Sequence, residues 1–134
     1  MRKRTQASAQ IGAPNREPVS PRLPRHYRAA CLLLLIGTQP AHGYELRDRL
    51  SEFVGASQDV GQMYRTLRGL EEEGLVVSCW QGSETGPDRR TYHISERGAG
   101  RLEGLVQEIA VGHRLTGAFL SRYRSGALAL EALA

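Results

Sequence analysis

Cysteine is scarce in this sequence. Cys31 and Cys79 stand far apart, with no CxxC partner for either. His42, His93 and His113 fall at no metal-ligand spacing from them, so a structural zinc site is excluded and no metal or other cofactor is expected. Cys31 lies in an apolar run and Cys79 in a strand-like one. Two buried, reduced thiols are the expectation, as in a cytoplasmic chain, with a redox-sensing disulfide as the alternative. Catalytic signatures are missing too: there is no GxSxG, no HExxH and no glycine-rich phosphate loop after a strand. Burial disfavours a thiolate, which leaves Cys31 a poor nucleophile. An enzyme is therefore not expected. Long hydrophobic runs are lacking as well. Ala29 to Ile36 (AACLLLLI) follows a basic leader as a signal-peptide core would. It starts late, behind four prolines, and falls far short of the roughly 20 residues of a membrane span. A buried first helix is the better reading.

The 134 residues suit one domain with a loose end, and the composition, 40% hydrophobic and 24% charged, is that of a globular protein. The net charge of +4 is unevenly spread. Arg2, Lys3, Arg4, Arg16, Arg22, Arg25 and Arg28 face Glu17 alone, which puts +6 on residues 1–28 and −2 on the rest. Such an arm suits sequence-independent, salt-sensitive attraction to a polyanion, or is a leader with no role.

Residues 1–24 hold four of the six prolines and no periodic apolar pattern, and are expected to be a disordered basic tail. A first helix is expected over Arg25 to Gly37, apolar nearly all round and central to the core. Pro40 to Gly43 is a turn. A second helix over Tyr44 to Phe53 offers Tyr44, Leu46, Leu50 and Phe53 for inward packing. Gly55 to Gln58 leads to the most informative stretch, Asp59 to Gly74 (DVGQMYRTLRGLEEEG). There Asp59 and Gln62 form a capping-box pair. Val60, Met63, Leu67 and Leu70 make one apolar helix face, and Gly74 is the stop. The opposite face carries Gln62, Arg65, Thr66 and Arg68, side chains able to reach base edges and phosphates in a major groove.

Leu75 to Trp80 and Arg89 to Ile94 read as strands flanking a connection too long for a tight hairpin. Ser95 to Gly98 starts a final helical segment. Its apolar residues Leu102, Leu105, Val106, Ile109, Leu115, Phe119, Leu120 and Tyr123 recur at threes and fours. Little is left in so small a domain to cover that stripe, so a partner chain is the natural cover. Gly100, Gly104, Gly112 and Gly117 weaken it as an isolated helix and point the same way. The expected fold class is mainly α with a small β-hairpin. The expected organisation is a winged helix-turn-helix DNA-binding domain over residues 25–98 and a C-terminal helical dimerisation segment over 99–134.

Several ordered matches make the chain resemble the PadR family, winged-helix regulators of the phenolic-acid-decarboxylase-repressor type. His42-Gly43-Tyr44-Glu45 resembles the HGYE signature that opens the second helix, and Gly61-Gln62-Met63-Tyr64 the GTLY element of the recognition helix. Leu67 with Leu70-Glu71-Glu72-Glu73-Gly74-Leu75-Val76 resembles the passage into the wing. Pro87, Arg89-Arg90, Tyr92 and the ISERG that follows resemble the wing strand and its exit. Tyr64 to Arg68, Ser78, Trp80, Gly86-Pro87 and Arg89-Arg90-Tyr92 are closer still to a subgroup of repressors that respond to polyhydroxybutyrate. The resemblance implies a homodimeric transcription factor, usually a repressor, joined through its C-terminal helices. Gln62 and Met63 depart from the usual Thr and Leu, and Arg65 stands where many members have proline, so no operator sequence carries over.

The expected DNA-binding residues are Gln58, Gln62, Tyr64, Arg65, Arg68, Arg89 and Arg90. Arg65 and Gln62 are the candidates for base edges, although Gln62 competes with its own capping role. Arg68 is expected at a phosphate, or with Arg65 on a solvated face paired to Glu71 or Glu72. The resemblance suggests a phosphate contact for the Tyr64 hydroxyl, with core packing as the alternative. Strand alternation sends Arg89 and Arg90 to opposite faces, so one should touch DNA and the other brace the wing. Trp80 is expected in the core or, alternatively, lining an effector pocket. His42 and Tyr44 are expected to be structural. Leu102, Leu105, Val106, Ile109 and Phe119 are the candidate dimer contacts. Expected partners are a pseudo-palindromic duplex, a second copy and a small-molecule or polymer effector, with no membrane. The competing class is a winged-helix module that binds a protein, which the −2 charge of residues 29–134 keeps open.

Overall fold

A computed structural model describes residues 23–55, 59–82, 86 and 89–130. Helix α1 (Tyr27–Thr38) is followed by a two-residue strand β1 (Ala41–His42), helix α2 (Gly43–Val54) and helix α3 (Val60–Glu72). Strands β2 (Val76–Gln81) and β3 (Arg89–Ile94) form the wing hairpin, and helix α4 (Glu96–Ser125) closes the described chain. The sheet is antiparallel in the order β1-β3-β2, with Val76 opposite Ile94 and Gln81 opposite Arg89.

The expected turn before α2 proves to be a third strand. Ala41 pairs with Tyr92 and His42 with Thr91. Ala41 is buried, and the Thr91 hydroxyl lies 3.0 Å from His42 Nδ1. Two residues suffice because β3 already offers a free edge that this short segment completes.

Helix α1 is the hub, with Leu32, Leu33 and Ile36 almost wholly buried. Leu46 and Leu50 of α2, Met63 and Leu67 of α3, and Val76 of β2 complete the centre. Each such side chain contributes about 1.5–3 kcal/mol on burial. Two expected inward residues of α2 are not in the core. Tyr44 lies on the far side of the helix from Leu46, and Phe53 continues the Leu46–Leu50 stripe into the last turn, past the centre of the core, so both stay substantially exposed. Leu105 of α4 is 3% exposed and belongs to this same core.

Helix α3 begins as its sequence suggests: the Asp59 carboxylate accepts from the amides of Gly61 (2.9 Å) and Gln62 (3.3 Å). The expected return bond from the Gln62 side chain is not formed, and a full box occurs at α2, where the His42 amide donates to Glu45 Oε1 at 3.1 Å. At the end of α3, Gly74 takes φ 74° and the Leu75 amide returns to the Leu70 carbonyl at 2.9 Å. That left-handed residue is where a side chain would be strained, and it turns the chain directly into β2.

Helix α4 starts on Ser95, whose hydroxyl accepts from the Gly98 amide and donates to the Gly74 carbonyl at 2.6 Å. Its thirty residues span about 45 Å. The first half packs on α1 through Leu102, Leu105 and Ile109. Beyond Ile109 no residue of the helix is buried, and Val111, Leu115, Phe119, Leu120 and Tyr123 stand in solvent. Among the described residues no helix is long and apolar enough to cross a membrane.

Candidate nucleic-acid interface

The stripe that buries Met63, Leu67 and Leu70 turns the other side of α3 outward. Gln62, Arg65 and Arg68 are all exposed there. Thr66 is less available, because its hydroxyl donates to the Gln62 carbonyl at 2.9 Å. The side chain of Gln62, unused in capping, has its amide open to solvent.

Arg65 does not pair with Glu71 or Glu72. Its Nη2 lies 3.6 Å from Asp59 Oδ2, with both side chains about two-thirds exposed. A pair so solvated contributes at most about 1 kcal/mol. Its guanidinium is therefore free to leave for a better bidentate acceptor. Arg68 borders a hollow with Glu71 and Glu72 yet forms no ion pair among the described residues.

Glu71 is occupied from the wing. Arg90 Nη2 donates to both its carboxylate oxygens, at 2.6 and 2.9 Å, and Arg90 Nε donates to the Ser78 hydroxyl at 2.8 Å. The same hydroxyl donates to Glu71 at 2.7 Å. Arg90, Ser78 and Glu71 thus fasten the hairpin to α3. Arg89, on the opposite face of the strand, donates to the Tyr44 hydroxyl at 2.9 Å and sits 5.5 Å from the centre of its ring. Arg90 is the bracing arginine, and Arg89 lies at the mouth of a cleft between α2, α3 and the wing.

That cleft has a volume of about 330 Å³ and is bordered by His42, Tyr44, Tyr64, Trp80, Arg89, Arg90 and Tyr92. Tyr64 projects from α3 over the start of α2. A Cβ at Gly43 would lie 2.8 Å from its hydroxyl, so the glycine of the HGYE stretch makes room for this tyrosine. Tyr64 is 41% exposed and is not a core residue. Burial pushes the Tyr92 hydroxyl above the ordinary tyrosine range, so it stays protonated.

Two expectations fail on the wing. Trp80 is not in the core: it is 67% exposed, on the strand face it shares with Ser78 and Arg90. Cys79 points to the other face and is exposed, 3.6 Å from His93 Nε2. Cys31 is buried as expected, and burial pushes its thiol up. Gln58 lies outside the described residues. So does most of the basic tail, but Leu23, Pro24 and His26, where it ends, border a hollow shared with Gln62 and Thr66.

Among the candidate dimer contacts, Val106 and Phe119 are exposed. Leu102 and Ile109 are partly covered, and Leu105 is not available because α1 already covers it. An apolar hollow of about 360 Å³ lies between α1 and α4, lined by Tyr27, Cys31, Leu34, Phe53, Val106 and His113 among others. No group of three or more metal-ligating side chains occurs among the described residues.

The model of the PadR-like family of transcriptional regulators matches residues 32–104, more than half of the chain. The chain belongs to that family. PadR-like proteins are DNA-binding regulators and not enzymes, and the small three-stranded sheet with its long C-terminal helix is their winged-helix fold. A structure described as a conserved protein and potential transcriptional factor is 31% identical, covering 78% of this chain and 96% of its own, with a TM-score of 0.63. A PadR-like transcriptional regulator from Bacillus cereus is 26% identical over 73% of this chain and 91% of its own, with a TM-score of 0.57. A PadR family regulator from Eggerthella lenta, 20% identical and alike in fold, covers 90% of this chain and 97% of its own, with a TM-score of 0.57. Among curated proteins none matches.

Proposed function

We propose that this PadR-like chain is a homodimeric repressor that reads a pseudo-palindromic operator and leaves it when an effector binds. The observation that carries the DNA contact is the bare polar face of α3, with Gln62, Arg65 and Arg68 exposed and only one of them in a weak ion pair. Arg65 donates bidentately to a guanine and Gln62 pairs with an adenine, while Arg68, Arg89 and the Tyr64 hydroxyl meet phosphates. Arg90 contributes indirectly by holding the wing on α3. The basic tail ends beside Gln62 and Thr66, which suits an added, salt-sensitive contact with the same duplex.

The exposed stripe of α4 beyond Ile109 supports dimerisation there. Val111, Leu115, Phe119 and Tyr123 are large apolar residues that the described residues leave exposed. A two-fold dimer places its recognition helices in successive major grooves, with half-sites about 34 Å apart. The wing-strand resemblance to polyhydroxybutyrate-responsive repressors supports an apolar polymer or a small apolar molecule as effector.

The test is fluorescence-anisotropy binding to a duplex from the gene's own upstream region, beside a scrambled duplex, over a salt series. Preference for the native duplex at one dimer per duplex is the expected result. Weak, equal binding to both that vanishes at moderate salt would leave only the basic tail at work. That outcome would favour a protein-binding role for the fold.

A further inference from the structure

The indole of Trp80 has no task in the interface described so far. It is exposed on the side of the wing that faces α3, directly across the ladder from Arg90. It walls the outer edge of the cleft whose other sides are Tyr64 of α3, His42 and Tyr44 at the start of α2, and Arg89. Among the described residues none that borders the cleft is acidic. The two carboxylates beside its lining are already engaged, Glu71 with Arg90 and Glu45 with Arg49 and the His42 amide. Two unspent donors border it: neither the indole N–H nor the Tyr64 hydroxyl, set against Gly43, makes a hydrogen bond among the described residues.

An exposed indole beside arginine, in a cleft whose described lining holds no carboxylate, suits an anionic strand with apolar stretches between its charges. A sugar–phosphate backbone is such a strand, and a peptide is not unless it is strongly acidic. The cleft also continues the bare face of α3, so a duplex whose major groove receives Arg65 must carry a backbone strand past the wing.

We propose that one sugar–phosphate strand of the bound duplex runs through this cleft, with the Trp80 ring packed against deoxyribose and its N–H donating to a phosphate. This rests on the DNA-binding reading above. Trp80 then adds affinity without reading sequence, whereas Arg65 reads sequence.

Trp80 is the sole tryptophan, so it reports on its own surroundings. Its emission and the anisotropy of a labelled duplex are followed in one titration of the full chain. Emission should change with the same midpoint as anisotropy. Trp80→Ala should lose about tenfold in affinity on native and scrambled duplexes alike, and Trp80→Phe about half as much on a logarithmic scale. The residue is exposed, so the thermal midpoint of both variants should stay put, which separates lost contact from lost fold. Duplex binding with unchanged emission, and Trp80→Ala within twofold of the parent, would leave the cleft empty and the DNA-binding reading intact. A loss confined to the native duplex would make Trp80 a sequence reader and overturn its backbone role. No binding to any duplex would remove the DNA-binding reading, and this inference with it.

Discussion

Helices α3 and α4 begin from the same kind of pattern and end differently. Both carry apolar residues at threes and fours opposite a polar face. In α3 the chain supplies its own cover: Met63 and Leu67 are wholly buried and Leu70 nearly so. In α4 the cover runs out. Leu105 is buried under α1, yet Phe119, fourteen residues on, is 71% exposed, and everything from Ala110 to Ser125 lies outside the core. Periodicity announces a helix with a face to bury; it does not say which molecule does the burying. The contrast assigns the two helices different outward duties, a polar surface for α3 and an apolar one for α4.

The largest effect should come from removing the uncovered half of α4. A chain ending after Ala110 keeps Leu102, Leu105 and Ile109 on α1, so its fold should survive. It should sediment as a monomer and bind the native duplex at least about 100-fold more weakly, since linking two half-sites raises avidity by about 10²–10⁴. Cutting earlier, after Gly100, would remove Leu105 from the core and confuse unfolding with dissociation. A shortened chain that remains a dimer would break the comparison and place the interface nearer the hollow between α1 and α4. Leu115→Glu with Phe119→Glu in the full-length chain should reproduce the monomer without shortening anything.

The reading face of α3 comes next in size. Arg65→Ala should cost about 1–3 kcal/mol on the native duplex and little on a scrambled one. Its partner Asp59 adds almost nothing to stability through so exposed a pair, so the thermal midpoint should hardly move. Equal losses on both duplexes would turn Arg65 into a phosphate contact and leave base reading to Gln62. Under either outcome α3 remains the polar helix; the experiment sharpens what its polarity is for.

The sequence made these helices legible because their signals are local. Asp59 before an apolar stripe and Gly74 after it state the limits of α3 within sixteen residues. Features set by distant partners were not legible. Strand β1 exists only because Ala41 and His42 meet Tyr92 and Thr91, some fifty residues later. Trp80 and Cys79 look like core residues by type, but they lie on the half of β2 beyond buried Val76, toward the tip, and both stay exposed. The return bond expected of Gln62 is not made at the start of α3, which leaves the glutamine for the candidate site. Alternation sends Arg89 and Arg90 to different partners, Tyr44 and Glu71, although both border the same cleft. Only the position of Glu71, one helix away, decides which of them is held.

The smallest effect should lie in that last pair. If Arg90 acts by bracing the wing on α3, losing either partner removes the same thing. Arg90→Ala and Glu71→Gln should then each weaken duplex binding a few-fold, and the double variant should be no worse than either alone. Both side chains are partly exposed, at 45% and 26%, so the coupling in stability should stay within about 1 kcal/mol. Arg89→Ala should behave differently. Among the described residues its guanidinium is shared only with a phenol, so its loss should leave stability unchanged and lower the salt dependence of binding by about one phosphate contact. If Arg90→Ala instead loses more affinity than Glu71→Gln, and the double variant loses more again, Arg90 reaches the duplex itself. The carboxylate would then be an intramolecular stand-in for a phosphate. The cycle thus decides whether the wing is held to the helix or to the DNA.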